Sequence, residues 1–200
     1  MVLLYTKQGM VMNLFVHQIV ILALMLLAML FQFQVIWKIE SSLLEYSPLA
    51  VASMMFVPHG IRAIAVVLSG AKAFVPIFLA HLITDLTLGL TLTAGLLSGA
   101  ATVLAMAMPL VLLNFLSHKR AFEPLAEGNT ENLSLFRLVI VVGAISSLVN
   151  GAIGAIRYST SPLDMVAVKY FIGDMLGVVL LLGLLLALKK PLLALGRKLV

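Results

Sequence analysis

Apolar runs of about twenty residues recur along this chain with short polar breaks between them, and that pattern leaves few folds open. A helix needs about 20 residues to cross the roughly 30 Å hydrocarbon layer of a bilayer. The runs at 14–36, 48–70, 74–90, 93–116, 135–156 and 166–188 meet or approach that length. The expectation is an all-α, polytopic transmembrane helix bundle of about six spans, forming one integral membrane domain over residues 1–200. Composition agrees: 62% of residues are hydrophobic and 10% charged, whereas soluble domains are about a quarter charged. With no cysteine in the chain, disulfides, thiolate metal sites and cysteine nucleophiles are excluded. The net charge of +5 is spread in short groups, which argues against nucleic acid and leaves the lipid bilayer as the primary partner. Met1 to Met10 is weakly charged and the run after it is too long for a signal-peptide core, so no leader is expected.

Six spans divide the basic residues unevenly. One side holds Lys7, Lys72, Lys119, Arg120, Arg137, Lys189, Lys190, Arg197 and Lys198; the other holds Lys38, Arg157 and Lys169; Arg62 lies within a span. The positive-inside rule then places both termini in the cytoplasm. Trp37-Lys38, closing the first run, suits the headgroup region.

The run 48–70, PLAVASMMFVPHGIRAIAVVLSG, is the most unusual. Pro58-His59-Gly60 sits near its middle and Arg62 follows. Pro removes a backbone donor and Gly adds freedom, so span two is expected to be interrupted at Pro58–Gly60. Interrupted helices that carry charge at membrane depth persist where they line a cavity or are buried in protein.

The other costly groups are His81, Asp85 and Asp174. At a rise of about 1.5 Å per residue, His59 and Arg62 lie roughly 16 and 21 Å deep, Asp85 roughly 16 Å and Asp174 roughly 12 Å. These depths coincide if spans two, three and six are neighbours. Unpaired charge there would neutralise or destabilise the fold, so pairing is expected, Arg62 with Asp174 and His81 with Asp85. The last two are four apart on one helical face. Such pairs either fix helix register or mark a ligand site. His81, Asp85 and His59 are a thin donor set for a metal, and none is expected. His81-Leu82-Ile83-Thr84-Asp85 resembles an acyltransferase HxxxD order, but no nucleophile elbow, zinc-protease motif or phosphate loop accompanies it. No catalytic residue and no cofactor are expected.

Gly95 and Gly99, Gly151 and Gly154, and Gly173 and Gly177 mark seams where helices approach closely. Asn150 is placed to hydrogen-bond across such a contact. His17, Gln18, Gln32 and Gln34 lie toward the ends of span one and reach interfaces or neighbouring helices. Arg157, Tyr158 and Lys169 fall at the outer face. The segment 117–134, SHKRAFEPLAEGNTENLS, reads as a surface loop, and its Asn132-Leu133-Ser134 acceptor pattern carries no meaning on a cytoplasmic face. A short echo links GIRAI at 60–64 and ITDL at 83–86 to GAIR at 154–157 and IGDM at 172–175, as in inverted repeats of transporters.

Two stretches together resemble the first class of membrane-associated sensor domains, the MASE group. One is FVPHGIRAIAVVLSGAKAFVPIFLAHLITD at 56–85; the other is VKYFIGDMLGVVLLLGLLLALKK at 168–190. Pro58, Gly60, Gly70, Pro76, Gly173, Asp174 and Gly177 match the family pattern, whereas His59 and Arg62 do not. The resemblance implies a bacterial sensory transmembrane module that signals to a histidine kinase or diguanylate cyclase. It departs from the family in having about six spans rather than about eight, and the tail at 189–200 is too short for an output domain. A signal would pass through a separate membrane or cytoplasmic protein.

Three functions fit these residues. The first is a stand-alone sensory or scaffold module that binds a small ligand or partner helices near a charged midplane pocket. The second is a small-solute transporter or the substrate-binding membrane subunit of an importer. Against an energy-coupling subunit, Ala23 and Ala28 are five apart where Ala-x-x-x-Ala is usual. The third is a structural subunit of a larger membrane complex.

Overall fold

The structure, a computed structural model, describes residues 7–43, 53–127, 135–157 and 163–196. The start of the expected second span, the Asn132-Leu133-Ser134 pattern and Tyr158 lie outside the described residues. Those residues are all helix and connecting turn, with no strand among them.

The helices are α1 (Lys7–Phe31), α2 (Trp37–Leu43), α3 (Val57–Ser69), α4 (Phe74–Thr87), α5 (Leu92–Leu116), α6 (Leu135–Arg157) and α7 (Leu163–Gly196). Five stretches are long and apolar enough to cross a membrane: Leu14–Leu43, Val57–Thr87, Leu92–Leu116, Leu135–Ile156 and Val166–Leu188. Exposure is inverted relative to a soluble protein. Leu27, Leu97, Phe115 and Ile156 are 62%, 64%, 76% and 77% exposed, whereas Gln32, His59, Arg62, Asn114 and Asp174 are buried. Apolar side chains outside and polar ones inside suit lipid as the surrounding solvent.

Three local features differ from the expectation. The first helix does not stop at Trp37. It passes through a π-helical turn, Gln32–Ile36, and continues as α2 to Leu43, since nothing in WKIESSL breaks a helix. Pro58 and Gly60 fall in the first turns of α3 rather than in the middle of a helix. Proline is at home there because the first-turn N–H is unpaired anyway. The helix-free stretch lies just before, at 53–56. Finally, the apolar stretch Val57–Thr87 is divided by a 3₁₀ turn, Gly70–Ala73. Gly70 stops α3 with φ 58°, and a Cβ there would collide with the Phe122 carbonyl.

That collision reports another contact. The described part of the segment after α5, residues 117–127, is a surface loop held against the bundle. Ala71 N–H donates to the Phe122 carbonyl at 3.0 Å, Phe74 and Phe122 meet edge-on at 6.1 Å, and Leu125 is buried. Asn114 and Lys119 hold this segment through the carbonyls of Glu123, Pro124 and Leu125. At the same end, His17 lies 2.7 Å from Ser69 Oγ, and Gln18 donates to the Lys72 carbonyl at 2.6 Å.

The glycine pairs sit where helices touch. Gly95 and Gly99 of α5 face Leu82 and Phe78 of α4, and Gly151 and Gly154 of α6 face Ala167 and Tyr170 of α7. Gly173 and Gly177 do something more specific. Any Cβ on them would strike the carbonyls of Ser53 and Phe56, so α7 receives the helix-free backbone directly against its own. Gly173→Ala or Gly177→Ala should lower stability by about 1–3 kcal/mol through overpacking. Gly183→Ala, which meets nothing within 4 Å, should be neutral. Unfolding of the purified variants in a graded detergent mixture checks this, and equal behaviour of all three would contradict the close approach.

Candidate functional site

Backbone without a helix needs other hydrogen-bond partners at membrane depth, and the stretch 53–56 finds them on the first helix and on α7. Phe56 N–H donates to the Gly173 carbonyl of α7 at 2.8 Å. Val57 N–H donates to Gln32 Oε1 at 3.1 Å, and Met55 N–H to Glu40 Oε1 at 3.1 Å. Ser53 Oγ accepts from Gln32 Nε2 at 2.9 Å and donates to Glu40 Oε1 at 2.8 Å. Gln32 opens the π turn of the first helix and is fully buried. That turn is a local departure from α geometry of the kind often found at functional sites.

One helical turn into α3, His59 and Arg62 lie on one side, three residues apart. His59 is fully buried. Its Nδ1 is 3.1 Å from Asp174 Oδ2, at charge-pairing distance, although the angles there do not make a hydrogen bond. Its Nε2 lies 3.1 Å from the Gly143 carbonyl and from the hydroxyls of Ser146 and Ser147. Each ring nitrogen therefore faces a group that accepts a proton. Asp174 Oδ2 also accepts from Asn150 Nδ2 at 3.1 Å. Thus α3, α6 and α7 meet at one carboxylate.

The close partner of Asp174 is His59 rather than the expected Arg62. Arg62 lies within electrostatic reach of Asp174, and its guanidinium makes a cation–π contact with Phe56, Cζ sitting over the ring 5.1 Å from the centroid. It is 1% exposed, and its Nε and Nη2 have no hydrogen-bond partner among the described residues.

These groups surround a cavity of about 270 Å³. Arg62, His81, Asp85 and Asp174 all line it, while His59 stands behind Asp174 as its partner. His81 and Asp85 share the cavity face of α4, and His81 Nε2 has no hydrogen-bond partner among the described residues. Gln32, Ser53, Thr84, Thr102, Asn150 and Tyr170 add polar lining, and Met29, Phe33, Phe56 and Ile153 add an apolar wall. A cavity with apolar walls and a few convergent polar groups is the usual form of a small-molecule site. Among the described residues no three His, Cys, Asp or Glu side chains gather in a group fit for a metal ion.

Sequence reasoning brought out His59, Arg62, His81, Asp85, Asn150 and Asp174 but not the roles of Ser53, Glu40, Thr84, Thr102 and Tyr170. Pro58 and Gly60 hinted at an interruption, but the helix-free stretch lies a few residues before them, at 53–56. Among the motif positions, Pro58 starts α3, Gly60 packs on the Gly177 carbonyl, Pro76 is buried in the first turn of α4, and Gly70, Gly173 and Gly177 receive backbone. Compared with known protein families, with curated proteins and with solved structures, the chain matches none of them.

If His59 and Asp174 form a working pair, their alanine substitutions are non-additive. A double-mutant cycle should return a coupling of about 0.5–3 kcal/mol, read from unfolding of purified variants in mixed detergent. Strict additivity would rule the pair out.

Proposed function

We propose that this chain is a stand-alone integral membrane module, sensory or scaffolding in role. It binds a small ligand near the bilayer midplane, passes occupancy to a protein partner and performs no chemistry itself. The observation that carries this reading is the cavity lined by Arg62, His81, Asp85 and Asp174, with two buried guanidinium nitrogens of Arg62 lacking a hydrogen-bond partner among the described residues. Ionisable groups at membrane depth are costly and mark function by default. Here Arg62, His81, Asp85 and Asp174 converge on one space. The likeness of 56–85 and 168–190 to membrane-associated sensor domains points the same way, with a bacterial inner-membrane setting and a kinase or cyclase as the type of partner.

In this reading α3 and α4 cross as two arms, making about six crossings in all, with 53–56 as the interruption of the second. The contacts of His17 with Ser69, Gln18 with Lys72 and Ala71 with Phe122 support it. They gather the start of α1, the α3–α4 turn and the segment after α5 at one end of the bundle, as an even number of crossings requires. The basic side of the chain then faces the cytoplasm, along with both termini. Because the chain has no cysteine, single cysteines report topology cleanly. A membrane-impermeant maleimide added to intact cells should label Lys38→Cys and spare Lys72→Cys and Lys119→Cys. Labelling of Lys72→Cys from outside would overturn the two-armed crossing.

A second reading, a solute importer or its substrate-binding subunit, draws on the helix-free stretch beside the cavity, since transporter sites are often built at broken helices. Purification in mild detergent separates the readings. A co-purifying kinase or cyclase is the expected result; a pair of ATPase subunits favours import, and a large stoichiometric assembly favours a structural role.

A further inference from the structure

Arg62 carries two unmet donors, and which two they are is informative. Nε–H and the neighbouring Nη2–H point in parallel from one edge of the guanidinium, forming the fork that receives both oxygens of a carboxylate side-on. Both atoms are buried without a hydrogen-bond partner among the described residues, and Arg62 lines the cavity. Arg62 Cζ lies over the Phe56 ring, 5.1 Å from its centroid, a cation–π contact that helps to hold the guanidinium in place. Asp174 does not fill it: neither nitrogen bonds to that carboxylate, whose Oδ2 faces His59 and Asn150. A buried charged donor left unmet costs stability until an acceptor enters.

We infer that the cavity takes a small monocarboxylate, its two oxygens docked side-on against Nε and Nη2 of Arg62; the inference rests on the ligand-binding reading above. Charge argues for a single negative group. Asp85 and Asp174 line the same space, so a dianion such as phosphate would meet two acids for one guaranteed cation. Size and wall chemistry argue for a short apolar body. About 270 Å³ falls just below the range of drug-sized pockets, and Met29, Phe33 and Ile153 supply the apolar wall. Thr84 and Thr102, both buried and lining the cavity, offer hydroxyls to ligand polar atoms.

The test is thermal unfolding of the full chain in phosphatidylcholine nanodiscs at matched ionic strength. The probes are butyrate and benzoate, their neutral isosteres butyramide and benzamide, and inorganic phosphate. The two acids should raise the melting temperature in a saturable way while the amides and phosphate do not, because only a species bound by the folded state stabilises it. Arg62→Lys, which keeps the charge and loses the fork, should weaken apparent affinity for the acids by about tenfold or more. Equal stabilisation by acids and amides, or stabilisation by phosphate alone, would overturn the carboxylate while leaving a ligand-binding module in place. No shift with either acid also overturns it, and the co-purification result then decides the module reading separately. The comparison of acid with amide uses the wild-type chain, so it stands even if Arg62→Lys fails to fold.

Discussion

A single buried carboxylate ties the bundle together. Asp174 projects from α7, takes His59 from α3 at 3.1 Å, and takes Asn150 from α6 at 3.1 Å. In hydrocarbon such a group persists only when partners surround it, and removing one leaves a charge that costs far more than the pair contributes. The requirement propagates outward. His59 must face α7, which turns Gly60 onto the Gly177 carbonyl. Its Nε2 must face α6, where Gly143, Ser146 and Ser147 await it. With His59 so committed, Arg62, one turn further along α3, is carried to the cavity edge.

Close backbone approach is the second requirement, and it follows from the first. The stretch 53–56 lacks a helix ladder and must borrow acceptors and donors from its neighbours. It can lie against α7 only because Gly173 and Gly177 present no side chain there. Small residues in membrane helices usually serve helix–helix contact, as Gly99 does against Phe78. Here two of them serve contact between a helix and a helix-free stretch of backbone, which is why Gly-Asp-x-Leu-Gly brings small residues and a carboxylate into one short segment.

Much of this was legible beforehand because helical rise is fixed. Counting residues from the ends of apolar runs placed His59, Arg62, Asp85 and Asp174 at a common depth, and the cavity gathers Arg62, His81, Asp85 and Asp174 with His59 behind them. Which basic side chain meets Asp174 was not legible. His59 and Arg62 are three apart on one face, so a modest rotation of α3 exchanges them, and rotation is set by packing on α6 and α7. The π turn at Gln32 was hidden for a related reason. It is stabilised by what Gln32 grips, the Val57 amide and the Ser53 hydroxyl, not by local propensity. Pro58 misled in position only: the same missing donor that interrupts a helix interior also suits a helix start.

The stretch before α3 is held by Gln32 of the π turn, Glu40 of α2 and Gly173 of α7, one or two bonds each. No one helix owns it. Axial sliding of the first helix or of α7 must therefore stretch or release those bonds, and the Phe56 ring over Arg62 moves with them. Through this shared segment, relative displacement of the two membrane-crossing rods would alter the aperture beside a buried cation.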